Sequence, residues 1–134
     1  MLISTRGRYA LRFLVDLAEN QESTGFITTQ ELAERQQVSH KYAERLMGVL
    51  SHKKFVLTQH GKGGGYKLNR KPEDYKVSEI LLAMDEELAP VQCLTCEQNK
   101  CPRAEICRTL PMWKKLGGII QDFFDGITLA DLMK

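Results

Sequence analysis

The stretch TTQELAERQQVSHKYAERLMGVL, residues 28–50, decides how this chain folds. Thr28 and Glu31 stand at capping-box spacing, which predicts a helix start, and Leu32 and Ala33 give that helix a short apolar face. After Val38, Ser39 is placed to cap the next helix, whose apolar stripe is Tyr42, Leu46, Val49 and Leu50. Two short helices joined by Gln-Gln-Val predict a helix-turn-helix. Beyond them FVLTQ (55–59) reads as a strand, HGKGGG (60–65) as a turn and YKL (66–68) as a returning strand. A hairpin directly after the second of these helices is the arrangement of a winged helix.

Upstream, a helix follows Ser4, with Leu11, Leu14, Val15 and Ala18 on one face, and ends before the turn-like NQESTG (20–25). Downstream of NRKPEDY (69–75), a helix starts near Ser78 with Ile80, Leu81 and Met84 facing inward. A cysteine-rich loop follows Pro90. The segment TLPMWKKLGGIIQDFF (109–124) then places Leu110, Trp113, Leu116, Ile120 and Phe123 or Phe124 along one stripe. That is more apolar surface than a small domain can cover, so pairing with a second copy is expected. Gly117 and Gly118 predict a bend or a close helix contact, and Thr128 caps a last short turn. The expected fold is mainly α: a winged helix-turn-helix domain over 1–75, with a small β-hairpin wing. Residues 76–134 form a helical linker, the cysteine loop and a long dimerisation helix.

The chain has 134 residues, 43% hydrophobic and 27% charged, an ordinary globular balance. ALRFLVDLA (10–18) is interrupted by Arg12 and Asp16, which excludes a signal h-region or a membrane span and makes the cytoplasm the expected location. Its net charge of +2 is unevenly spread. Residues 1–71 carry twelve Lys+Arg against six Asp+Glu, whereas residues 72–134 carry seven against eleven. The N-terminal part therefore has the charge a polyanion attracts. Gly61, Gly63, Gly64 and Gly65 lack the G-x-G-x-x-G spacing and open no helix, which argues against a nucleotide-phosphate loop.

A helix-turn-helix puts the start of its second helix into the DNA major groove. The candidate reading residues are Ser39, His40, Lys41, Tyr42, Glu44 and Arg45. Ser39 and Lys41 suit phosphates, Arg45 suits guanine or phosphate, and Glu44 can accept from cytosine N4. The competing reading is a solvated face with His40 and Glu44 as a weak i, i+4 pair. In the wing, His60 and Lys62, with Gly63 and Gly64, suit the minor groove or the backbone. Arg6 and Arg8 at the first helix, and Thr28 at the next, complete the phosphate-facing set.

Cys93, Cys96, Cys101 and Cys107 are all the cysteines present and follow C-x2-C-x4-C-x5-C. Thiolates in a compact set of four suit an iron–sulfur cluster or zinc. A disulfide formed in air and four free thiols are the alternatives. A catalytic C-x2-C is disfavoured, because no strand–helix unit joins it. No enzyme activity is expected.

STRGRYALRFLVDLA, ELAERQQVSHKYAERLMGVL, HGKGGGYKL and ITLADLM together resemble a bacterial regulator family. It is the family that includes the iron–sulfur regulator IscR, the nitric oxide sensor NsrR and the cysteine regulator CymR. The resemblance spans nearly the whole chain. It implies a homodimeric winged-helix transcription factor on double-stranded DNA at a roughly palindromic operator, with the long helix at the dimer interface. It also implies an iron–sulfur cluster, two-iron or four-iron, held by Cys93, Cys101 and Cys107, and a role in sensing iron–sulfur, redox or nitric oxide status. Two fourth-ligand positions of the family are occupied here by Leu110 and Arg8, which leaves Cys96 as the candidate. Family members without a cluster, controlled by a partner protein, form the alternative; a zinc-binding or thiol-redox interaction protein is the alternative from another class.

Overall fold

The computed structural model describes residues 2–134, apart from the side chains of residues 22–24. Helix α1 spans Thr5–Thr24 and is capped by Ser4, whose hydroxyl accepts from Gly7 N at 3.1 Å. It runs through the segment expected to be a turn. Asn20 does not break it, because its amide donates back to the Asp16 carbonyl at 2.8 Å, and the chain leaves the helix only at Gly25, φ 76°. Ala10, Phe13, Leu14, Leu17 and Ala18 are buried, while Leu11 and Val15 are half-buried.

Helix α2 (Thr29–Gln36) starts with the predicted capping box: Glu31 N donates to Thr28 Oγ1 at 3.1 Å and Thr28 N to Glu31 Oε2 at 2.8 Å. Gln37, at φ 56°, turns the chain into α3 (His40–His52), where Ser39 accepts from Tyr42 N at 3.1 Å. The inward residues of α3 are Ala43, Leu46, Met47 and Leu50; Tyr42 and Val49, expected in the stripe, flank it half-buried. Strands β1 (Val56–Gln59) and β2 (Gly65–Leu68) pair antiparallel from Val56↔Leu68 to Gln59↔Gly65. Gly65 belongs to the strand and not to the turn. There Tyr66 and Ile27 exchange both backbone hydrogen bonds, at 2.7 and 2.9 Å, so the wing is tied to the entry of α2. At φ 145°, and with the Ile27 carbonyl where a Cβ would stand, position 65 accepts only glycine. This is the winged helix expected from residues 28–68.

Helix α4 (Val77–Ala83) follows, then the loop of residues 84–109, α5 (Leu110–Asp125) and α6 (Leu129–Leu132). Ile80 of α4, Met84 just after it and Leu129 of α6 pack into the same core as α1–α3, on the far side of the expected division at residue 75. Fully buried Tyr75 explains why: its hydroxyl donates to the Phe55 carbonyl at 2.6 Å and accepts from Asn69 N at 3.1 Å. The returning C-terminus joins the same place, through Leu129 N to Tyr75 O at 3.1 Å and Val77 N to Ile127 O at 2.9 Å. Thr128 caps α6 as predicted, with Asp131 completing a capping box.

The apolar surface of α5 differs from the single stripe expected. Ile120 and Phe124 pack on Val77, Leu81 and Leu88, and Leu110 is buried. Met112, Leu116, Ile119 and Phe123, at i, i+4, i+7 and i+11, form a second stripe and are 54%, 38%, 57% and 61% exposed. The sequence pattern merged two adjacent faces. Of the two glycines, Gly117 fits the close-contact reading, since a Cβ there would meet Pro90 Cδ at 3.4 Å; Gly118 faces open space.

Candidate nucleic-acid interface and cysteine site

The capping of α2 and the turn at Gln37 place the start of α3 beside the wing. Thr28, His40, His60 and Gly64, four of the expected DNA-facing residues, line one shallow cleft of about 340 Å³ together with Gln30, Gln59 and Tyr66. Ser39, the cap of α3, and Lys41, Glu44 and Arg45 on it stand exposed, as do Lys62 and Gly63 at the wing tip. Among the described residues no hydrogen bond joins His40 to Glu44, so the self-paired face does not form.

Tyr42 sits differently from its neighbours. Its ring meets Tyr9 edge-on, with centroids 5.7 Å apart, and its hydroxyl is buried without a hydrogen-bond partner. Burial raises its pKa, with Tyr9 adding to the effect. Its position is that of a spacer between α1 and α3. Arg12 lies over the Tyr9 ring at 4.3 Å and donates to Gln36 Oε1 and the Gln36 carbonyl, both at 2.9 Å. Gln36 in turn donates to buried Asp16 at 2.8 Å, and Arg35 holds Asp16 through Nη2 at 2.6 Å. That hydrogen bond raises the Arg35 pKa. This polar chain fixes α2 on α1 and so aims α3. Sequence reasoning missed it, because Asp16 and Arg35 lie on separate helices and no local spacing joins them.

At the N-terminus of α1, Arg8 is exposed and donates to Thr5 Oγ1 at 3.1 Å, while Arg6 pairs with Asp85 at 3.2 Å. Asp85 follows α4, next to buried Glu86, which accepts from both the hydroxyl and the backbone N of Ser4. A side chain at position 7 would strike Glu86 Oε1. The segment entering the cysteine loop is thereby fastened to the end of α1 that carries Arg6 and Arg8.

Cys93, Cys96 and Cys101 line one pocket of about 400 Å³ in the loop; Cys107 stands outside it and meets Thr109 Oγ1 at 3.4 Å. Among the described residues no three Cys, His, Asp or Glu side chains are close enough together to hold a metal ion. The Cys107 thiol is nonetheless held below its ordinary pKa. The Thr109 hydroxyl is the main cause, followed by the backbone N–H groups of Thr109 and Leu110 and the charge of Arg103. The pocket also contains Asn99, whose Oδ1 accepts from Cys101 N at 2.9 Å and whose Nδ2 is buried with no partner. Three of the four thiols share the pocket and Cys107 stands outside it, so the loop as it lies does not bring the four cysteines together around one group.

Residues 3–134 match the Rrf2 family, described as "Iron-dependent Transcriptional regulator". The chain belongs to the Rrf2 family of transcriptional regulators. It is 36% identical to "Protein rrf2" of Nitratidesulfovibrio vulgaris, over 100% of this chain and 88% of that protein. It is 33% identical to "HTH-type transcriptional regulator IscR" of Aliivibrio salmonicida, over 99% and 77%. Among solved structures it superposes on CymR, "the Global Cysteine Regulator of B. subtilis", with a TM-score of 0.79 and 25% identity, covering 98% of this chain and 95% of that one. T. potens IscR gives a TM-score of 0.73 and 31% identity, covering 98% and 85%.

Rrf2 relatives are transcriptional regulators and not enzymes, which agrees with the absence of catalysis expected from the sequence. Regulators of this family bind DNA. The winged helix of this Rrf2 chain is the fold of its CymR and IscR neighbours. Among the described residues no helix is long and apolar enough to cross a membrane.

Proposed function

We propose that this Rrf2 chain is a homodimeric DNA-binding regulator whose recognition surface is α3 with the wing, and whose cysteine loop holds an iron–sulfur cluster. The cleft joining Thr28, His40, His60 and Gly64 carries the DNA reading, because two helices and the hairpin present polar groups on one surface, while Lys41 and Lys62 stand exposed on the same helix and wing. Lys41, Lys62 and Arg8 meet phosphates and set position, while Glu44 and Arg45 reach base edges and set sequence. The wing keeps its place because Gly65 allows the bridge to Ile27.

The exposed stripe of α5 supports the homodimer. Four large apolar side chains at helical spacing, each roughly half exposed, forgo about half of the ~1.5–3 kcal/mol that full burial of each contributes, and a second copy of the same helix covers them. Two copies paired on α5 present two recognition helices, which suits a roughly palindromic operator with half-sites about 34 Å apart.

Cys93, Cys96, Cys101 and Cys107 would hold the cluster, which when bound supplies a group that changes with iron supply, oxidation or nitric oxide. This chain's own residues carry such a change to the DNA surface. Pro90 rests on Gly117 of the dimer helix, Leu110 anchors the loop at the other end, and Glu86 grips Ser4 at the start of α1. Ordering or releasing the loop therefore acts on both α5 and α1. The separation of the four thiols favours a second reading, a cofactor-free regulator controlled by a partner protein.

Iron and sulfide analysis with an absorption spectrum, on protein purified without oxygen, separates the two. Matching iron and sulfide with thiolate-to-iron bands supports the cluster; a colourless protein that still binds duplex DNA supports the cofactor-free regulator. Loss of salt-dependent duplex binding would remove the DNA reading itself.

A further inference from the structure

We infer that Asp85 is an affinity-setting residue for DNA, whose carboxylate holds Arg6 back from the phosphate backbone. This role rests on the DNA reading above and needs no group bound in the cysteine loop. Arg6 Nη2 donates to Asp85 Oδ2 at 3.2 Å, and both side chains are exposed. Arg6 and Arg45 both lie within charge range of the Tyr42 hydroxyl at the start of α3, so Arg6 stands on the recognition side of the molecule. A carboxylate on that guanidinium takes the place a phosphate oxygen would have, since the arginine fork suits either acceptor.

The backbone around Asp85 keeps it there. Residue 85 has φ 60°, a conformation that glycine, asparagine and aspartate adopt most readily, and of these only aspartate carries charge. The next residue, Glu86, is buried and accepts from the Ser4 backbone N at 3.1 Å and from the Ser4 hydroxyl. Gly7 leaves the room that the Glu86 carboxylate fills. Asp85 is thus delivered to the first turn of α1 by a fixed anchor, and the pair does not depend on two side chains finding each other in water. An exposed ion pair contributes little to folding, so its consequence is felt where Arg6 is needed, on DNA. Residues 85 and 86 also open the loop that runs from α4 to α5, so a shift of that loop changes the charge offered at the start of α1.

The test is a double-substitution cycle on the full chain: wild type, Arg6→Ala, Asp85→Asn and the two combined. Each protein is titrated with a random-sequence duplex of about 30 base pairs over a range of salt, because phosphate contacts need no known operator. Asparagine suits the φ of residue 85 and removes only the charge, and urea unfolding checks that all four proteins are folded. We expect Asp85→Asn alone to tighten binding by up to about fivefold at low salt. It should also steepen the slope of log Kobs against log salt by about 0.9, the share of one further phosphate. Arg6→Ala alone leaves the slope near that of wild type, and adding Asp85→Asn to it brings no steepening. Equal tightening by Asp85→Asn with Arg6 and with Ala at position 6 would overturn the proposal, since Asp85 would then act only as one more negative charge. Unchanged binding in Asp85→Asn would overturn it as well. If none of the four proteins binds duplex in a salt-dependent way, the DNA reading falls and the Asp85 role falls with it.

Discussion

At the scale of single residues, glycines show how differently one amino acid serves at two positions. Gly65 sits at φ 145° against the Ile27 carbonyl, whereas Gly118 is helical with nothing within 4 Å of a Cβ. Gly65→Ala is expected to cost about 2–4 kcal/mol or to detach the wing from Ile27, because the backbone must move. Gly118→Ala, on the face that carries Lys115 and Asp122, is expected to stabilise α5 by about 0.5–1 kcal/mol. Urea unfolding of both variants checks this; a tolerated Gly65→Ala would mean that the bridge does not hold the wing. Cys107 offers a second test. Since Thr109 is the main cause of its lowered pKa, the thiolate of the metal-free chain appears at lower pH than for an ordinary thiol. Thr109→Ala should move the alkylation-versus-pH profile of Cys107 upward and slow labelling at neutral pH, read by mass spectrometry. Thr109 makes no side-chain cap to α5, so the helix itself should persist.

At the scale of elements, α5 does two jobs with two faces. Ile120 and Phe124 seat it on Val77, Leu81 and Leu88, aided by Ser78 Oγ, which donates to Asp125 at 2.5 Å. That bond, with Gln121, holds the Asp125 carboxyl below its usual range. This anchor is complete above the ordinary carboxylate pKa and is lost as pH falls through the lowered one, so α5 stays docked into mild acid. The outer stripe is free of that role. Ile119→Glu is expected to convert the protein to a monomer in sedimentation, with its helical circular dichroism retained. A dimer that survives this change would place the interface elsewhere. The single stripe read from the sequence was only partly right, since adjacent helix faces are 100° apart per residue and both are apolar here. Which face meets the chain depends on where α4 lies.

At the scale of the whole molecule, charge is divided as the sequence shows, with the basic excess in the winged-helix part. Duplex binding should weaken steeply with salt, and Lys62→Ala should reduce the slope by about 1 in log Kobs against log salt while affecting all sequences alike. Glu44→Ala should instead relax base preference with little change in slope. Equal effects of the two substitutions on specific and random duplexes would remove the distinction between positioning and reading. Both substitutions touch exposed residues away from the core, so folding should be unaffected.

By itself the sequence determined what rests on local chemistry. The capping box at Thr28, the Ser39 cap, the hairpin and the Thr128 cap each depend on residues within a few positions of one another, and each forms as read. The family was equally plain, whereas of the four cysteines grouped in sequence only three share a pocket. Only the tertiary structure decided the rest. It carried α1 on to Thr24, split the α5 surface into an inner and an outer face, and joined Asp16 to Arg35 and Ser4 to Glu86 across the fold. It also turned the Asn99 amide into the cysteine pocket. These features come from the meeting of distant segments, where burial and hydrogen-bond satisfaction are settled by packing and no periodicity along the chain encodes the partner.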